Sequence, residues 1–124
     1  MKDRFKFRYN NNNKIYDVSA IDFTRSRGEI VSLDKKETLM CKLDLNNLIQ
    51  CTGLKDKNGK LIYEGDRVYI NCEDETAIIK WSDDLARFTI HFEDEAVFAD
   101  FDNYYSKELE VIGNIYENSE LPKE

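Results

Sequence analysis

The chain has 124 residues, of which 41% are hydrophobic and 35% charged, with a formal net charge of −7 and a pI near 4.8. Seven Tyr, seven Phe and one Trp supply enough apolar surface for the core of one ordinary domain, which excludes a disordered chain. No apolar run approaches the roughly 20 residues that span a bilayer, and Met1–Lys6 has no apolar signal stretch, so a soluble cytoplasmic protein without membrane contact is expected.

Hydrophobic residues recur mostly with period two, the signature of strands. In Arg4-Phe5-Lys6-Phe7-Arg8-Tyr9 aromatics alternate with bases, and Asn10–Asn13 then reads as a four-residue hairpin loop leading into Lys14-Ile15-Tyr16-Asp17-Val18. A break at Arg25–Gly28 precedes Glu29–Leu33, and Leu39–Leu43 follows the exposed run Asp34–Glu37. Asp44 can cap a single helical turn, and nothing sustains the 10 to 12 residues of an ordinary helix. Within Asp56-Lys57-Asn58-Gly59-Lys60, the Asn58-Gly59 pair tolerates two successive positive φ angles and predicts a type I′ turn. A calcium loop does not fit there, because glycine falls at the fourth position and Arg67 stands at the twelfth, where a bidentate carboxylate is needed.

Glu64-Gly65-Asp66 predicts a second sharp bend, after which Val68, Ile70 and Cys72 alternate inward. Ala77–Trp81, a turn at Ser82–Leu85 and Arg87–Phe92 form a meander with Phe88, Ile90 and Phe92 on one face. Leu109–Tyr116 is the closing strand, with Gly113 permitting a bend. Together these short, turn-bounded strands predict an all-β chain: an SH3-like barrel in the C-terminal half, from about residue 62 to 117, packed against an N-terminal β-rich part. The expected division is 1–61 and 62–124, the second part carrying a C-terminal tail.

"TGLKDKNGKLIYEGDRV" together with "EVIGNIYENSEL" resembles the YopX family of bacteriophage and prophage proteins, in which a Thr-Gly-Leu-Lys-Asp-Lys-Asn-Gly segment precedes Tyr-Glu-Gly-Asp and a Gly-Asn-Ile-Tyr-Glu-Asn segment lies near the C-terminus. Phe7-Arg8-Tyr9 departs from the tryptophan often found in the family's first strand. The resemblance implies a phage origin, hence the cytoplasm of a bacterial host cell, and an SH3-type barrel in the C-terminal half. It implies no activity.

The residues themselves point away from catalysis. Cys41, Cys51 and Cys72 are odd in number and form no metal-ligand spacing with His91, the one histidine, so they read as reduced, buried small hydrophobes, and no metal or cofactor is expected. Glu73-Asp74-Glu75 and Glu93-Asp94-Glu95 fall at expected hairpin tips, where solvated turn residues are the ordinary reading, and an acidic metal site built from both tips is the sharper one. No Ser or Cys nucleophile pairs with a base by spacing, and no glycine-rich loop opens a helix. Two binding readings remain. Lys2, Arg4, Lys6 and Arg8 on one face of a strand would recur every 6 to 7 Å or so, near the phosphate spacing of a single nucleic-acid strand. Against it, residues 71–124 hold fifteen acids and four bases, a field that repels a polyanion and could instead imitate one. The leading expectation is therefore a non-enzymatic phage or prophage accessory protein that contacts a host or phage protein and self-associates through free strand edges. Tyr69, Trp81, Glu73, Asp74, Glu93 and Asp94 are its candidate contact residues, with Tyr104 and Tyr105 as further aromatic anchors.

Overall fold

The computed structural model describes residues 2–93, 98–101 and 106–117. After a 3-10 turn at Lys2–Phe5, eleven strands follow among the described residues: β1 (Phe7–Asn11), β2 (Lys14–Asp22), β3 (Arg27–Ser32), β4 (Thr38–Lys42), β5 (Leu48–Lys55), β6 (Leu61–Tyr63), β7 (Asp66–Ile70), β8 (Glu75–Ser82), β9 (Arg87–Phe92), β10 (Phe98–Asp100) and β11 (Leu109–Asn114). They form two antiparallel sheets, one of six strands in the order β4-β3-β2-β1-β5-β6 and one of five in the order β10-β9-β8-β7-β11. The chain is thus mostly β, and neither sheet closes on itself among the described residues.

Alternation explains the burial. In β7, Asp66, Val68 and Ile70 are buried while Arg67 and Tyr69 are not, and β8 buries Ala77 and Ile79 in the same rhythm. Val68, Ile70, Ala77, Ile79, Ile90 and Leu109 make the core of the five-stranded sheet, with Phe88, Phe92 and Phe101 packed around it. Ile62 joins this core from β6, so a strand of the first sheet contributes to the second sheet's interior. The six-stranded sheet packs Tyr9, Tyr16, Ile30 and Leu43 on one side and Ile15, Ile49, Cys51 and Tyr63 on the other, the latter group covered in part by Tyr116.

The two sheets meet where the chain passes from β6 to β7. Gly65 has φ +85°, its N–H donates to the Ile79 carbonyl at 2.7 Å, and its own carbonyl accepts from Ile115 N–H at 3.0 Å. A Cβ on Gly65 would lie 2.5 Å from the Tyr116 ring, so the ring occupies the room that only glycine leaves. Asp56 makes the second tie. One of its carboxylate oxygens accepts from Asn58 and Lys60 N–H at 2.9 Å, while the other accepts from Val111 N–H at 2.9 Å, joining the β5–β6 hairpin to β11. Lys57 N–H adds a bond to the Leu109 carbonyl at 2.9 Å.

Several local expectations change. Lys2–Phe5 is a 3-10 turn closed by Lys6 N–H donating to the Asp3 carbonyl at 3.1 Å, so β1 begins at Phe7 and the alternating bases do not share one strand. The Asn10–Asn13 connection is a two-residue loop: Asn11 pairs with Lys14, and Asn12 and Asn13 take φ of 54° and 71°. Those two positive angles are the type I′ pattern, placed in this hairpin and not at Asn58-Gly59. There only Gly59 has positive φ (+81°), and its N–H donates to the Asp56 carbonyl at 3.0 Å while Asp56 N–H reaches the Lys60 carbonyl at 2.8 Å. That is a three-residue loop with glycine at the left-handed position. Cys72 is exposed, because β7 ends at Ile70 and the chain turns through Asn71–Asp74; Cys51 is buried and Cys41 half-buried. The cap at Asp44 holds, its carboxylate accepting from Asn46 N–H at 3.0 Å, and Gly113 lies at an irregularity in β11, as a bend there requires.

Gly59 and Gly65, both at positive φ, offer a direct comparison. Gly59 faces open space, so Gly59→Ala is expected to cost about 1 kcal/mol from backbone strain alone. Gly65→Ala adds a clash with Tyr116 and is expected to cost roughly 3 kcal/mol. Urea denaturation of both variants measures the difference, and equal losses would show that the Tyr116 contact does not hold the joint.

Candidate functional site

Of the contact residues expected from sequence, Tyr69, Glu73 and Asp74 come together. β7 and β8 meet in a hairpin whose turn carries Glu73 and Asp74, and the Tyr69 hydroxyl donates to Asp74 Oδ1 at 2.5 Å. That bond raises the Tyr69 hydroxyl pKa, because the acceptor carboxylate favours a protonated phenol. Glu93 lies at the end of β9 and accepts from Arg67 Nε at 3.0 Å, while its N–H donates to the Thr76 carbonyl at 3.2 Å. Asp94, Tyr104 and Tyr105 lie outside the described residues.

Trp81 stands apart from this group. Tyr69 pairs with Thr76, and Trp81 is five residues further along β8, which places the two aromatics on opposite faces of the sheet. The indole continues the inward row of Ala77 and Ile79 but reaches the open end of the core, where it is 43% exposed. It packs edge-on against Phe88 with ring centroids 5.1 Å apart, and its Nε1–H donates to Asp83 Oδ1 at 2.8 Å. Beside it is a cleft of about 340 Å³ lined by Gln50, Thr52 and Leu54 from β5 and by Trp81, Arg87 and Phe88 from the β8–β9 hairpin. Sequence reading found Trp81 but not the β5 wall, since no spacing signal links residues 50–54 to a hairpin in the other sheet. Thr52 is committed to the fold, its hydroxyl donating to the Ile62 carbonyl at 2.8 Å. The cleft therefore offers an oriented indole with Leu54 and Phe88 beside it and the polar groups of Gln50 and Arg87 at its walls, surroundings for a partner side chain that joins an apolar body to a polar tip.

The basic residues are dispersed. Lys2 and Arg4 belong to the 3-10 turn, and Lys6 Nζ lies 3.2 Å from Asp3. Arg8 points into the molecule's own structure, with Nε 3.1 Å from Asp17 Oδ1 and its guanidinium 4.2 Å from the Tyr63 ring centroid. The even row of cations along one strand, on which phosphate spacing depended, is not formed. His91 has a ring nitrogen 3.1 Å from Thr89 Oγ1 and a pKa lowered by burial and by Lys80. Among the described residues, no three His, Cys, Asp or Glu side chains converge as a metal site, and no helix is long and apolar enough to cross a membrane.

A model of the YopX protein family matches residues 6–123. The solved structure of protein EF1440 from Enterococcus faecalis is similar to this chain, with 26% identity and a TM-score of 0.59 over 94% of this chain and 96% of that one. No curated protein matches.

Within the matched span, Asp66 is the buried acid that sequence reading did not single out. It is 6% exposed beside Gly65, and its Oδ2 accepts from Tyr63 N–H at 2.8 Å. Burial drives its pKa from the usual 3.8 to about 7, against the smaller opposing pull of the Tyr63 N–H and of Arg8. The folded protein thus binds a proton on Asp66 more tightly than the unfolded chain does. The stability this contributes is fully present below about pH 4 and is lost as pH rises through about 7, an amount on the order of 3 kcal/mol. Asp66→Asn keeps an oxygen for Tyr63 N–H without a charge to bury, so its unfolding free energy is expected to exceed wild type at about pH 8 and to match it at about pH 3.5. His91 acts in the opposite sense, since its lowered pKa favours the fold as pH rises, and the paired comparison removes its contribution. Denaturation curves at the two pH values check this; a wild type and variant with parallel pH profiles would remove Asp66 as the cause.

Proposed function

The chain belongs to the YopX family, and from that premise we propose that it is a non-enzymatic phage or prophage accessory protein working through contact with a host or phage protein. The observation that carries this reading is Trp81. Its indole is held by Phe88 and Asp83 yet remains 43% exposed at the mouth of a cleft, so a large anchor is presented with its rotamer already restricted. Buried tryptophans in well-packed pockets dominate many protein interfaces, and a preformed anchor loses little side-chain entropy on binding. Further support comes from the acidic β7–β8 tip, where Glu73 and Asp74 give a partner with a basic surface something to steer toward.

The strand order of the five-stranded sheet, a meander β7-β8-β9-β10 with β11 returning beside β7, supports reading it as an SH3-type barrel that is not fully closed. The nucleic-acid alternative has less behind it. Arg8 and Lys6 are already paired with the protein's own carboxylates, and the strand that was to align the bases starts only at Phe7.

Affinity capture from host lysate with and without nuclease tests the reading, using wild type and Trp81→Ala. The expected outcome is a specific protein retained after nuclease by wild type and lost, by tenfold or so in affinity, with Trp81→Ala at unchanged circular dichroism. Trp81 is the one tryptophan in the chain, so its emission reports directly on binding by the purified partner. Recovery of nucleic acid alone, or equal capture by both proteins, would overturn the proposal.

A further inference from the structure

β4 is the terminal strand of the six-stranded sheet, pairing with β3 and, among the described residues, with no other strand. Two hydrogen bonds outside the regular ladder fix which of its backbone groups are in use. Leu43 N–H donates to the Ser26 carbonyl at 2.7 Å, and Ser32 N–H donates to the Glu37 carbonyl at 2.9 Å. Both pairs lie in the same register as Cys41 with Gly28 and Leu39 with Ile30. Bonding alternates along an antiparallel ladder, so Leu39 and Cys41 direct N–H and C=O toward β3, whereas Thr38, Met40 and Lys42 direct theirs outward. The inward side chains behave accordingly: Leu39 and Cys41 pack against the core of Tyr9, Tyr16, Ile30 and Leu43, and Met40 is 72% exposed on the opposite face.

That edge is complementary to itself. We propose that β4 is a self-association surface, on which two copies of the chain pair β4 against β4 antiparallel about a twofold axis through Met40. In this register Met40 faces Met40 of the second copy and Thr38 faces Lys42, and these are the residues whose backbone groups point outward, so each such pair exchanges both of its bonds. Any antiparallel register shifted by one residue would oppose an outward group to an inward one. The charges agree as well. Continuing the same register beyond the strand brings Lys36 opposite Asp44 of the second copy, twice over by symmetry, and sets no like charges against each other along Thr38–Lys42. The exposed Met40 side chains meet at the axis with Cα atoms about 5.5 Å apart, extending the apolar surface that each Met40 forms beside Ala20 in the shallow groove next to β4. One sheet then runs through both copies. Edge pairing of this kind stabilises through main-chain bonds, with side chains setting register.

Sedimentation velocity and light scattering on the purified protein across a range of concentrations test this without any partner, so the result is separate from the fate of the Trp81 cleft. Wild type is expected to show a reversible monomer–dimer equilibrium. Met40→Lys sets two ammonium groups across the axis and is expected to weaken association by roughly tenfold or more. Met40→Pro removes a donor that the β3–β4 ladder does not use, and is expected to weaken association as strongly while circular dichroism stays that of wild type. A wild type that remains monomeric at about 1 mM, a concentration that would populate even a millimolar dimer, would overturn the proposal. So would association that survives both substitutions, or that is lost with lysine and kept with proline, since a contact through Met40 without strand pairing would then remain.

Discussion

The seat of the Tyr116 ring on Gly65 is the contact from which the rest of the arrangement follows. Gly65 must turn at positive φ to bring the chain from one sheet to the other, and the space left by its missing side chain is filled by a ring from the far end of the described chain. The Gly65 carbonyl and Ile115 N–H close the same contact through the backbone, and the Tyr116 hydroxyl donates to the Glu64 carbonyl at 3.4 Å. Glu117 extends it by accepting from Ile15 N–H at 3.1 Å, so a residue after β11 is bonded to β2 of the other sheet. Asn114 orders that tail, its side-chain oxygen accepting from Tyr116 and Glu117 N–H. A hairpin, a bend and a strand terminus thus form one unit in which no part is fully bonded without the others.

This gives the two stretches that carry the family resemblance a physical meaning. Asp56, Gly65 and Asp66 come from the first, and Val111, Asn114 and Tyr116 from the second, and they are bonded to one another or to the same few backbone groups. Asp56 serves as a turn cap and as an acceptor for β11 with the two oxygens of one carboxylate. Both stretches therefore supply groups to a joint between the sheets, and the first also places Thr52 and Leu54 beside Trp81.

Much of the strand content was legible because alternation survives wherever one face of a strand is buried. Val68, Ile70, Phe88, Ile90 and Phe92 all fall where period two puts them. The same rule misled at the N-terminus, where pairing with β5 begins only at Lys6 and Phe7, and Phe5 is left 64% exposed on a 3-10 turn. Turn type was harder to read. Asn-Gly suits a type I′ loop, but the Asp56 carboxylate bonds to Asn58 and Lys60 N–H and draws the loop into a different form, while Asn12 and Asn13 adopt paired positive angles with Asn10 Oδ1 accepting from Asn13 N–H. The wall of the cleft and the burial of Asp66 depend on which strands become neighbours across the two sheets, and no local pattern carries that information.

The position of β11 also sets an order of events during folding. Every strand of the six-stranded sheet lies before residue 64, and its ladders can form as soon as that length of chain is free. β7 can pair with β8 early, but its other edge waits for Leu109–Asn114, some forty residues on, and loop closure over that distance is slow relative to hairpin formation. Until then Asp56 has a carboxylate oxygen without Val111 and Gly65 has no ring over it. In a chain made from its N-terminus, the first sheet can assemble while β7 still shows a free edge and the second core lacks Leu109, and the arrival of β11 covers that edge and completes that core at once.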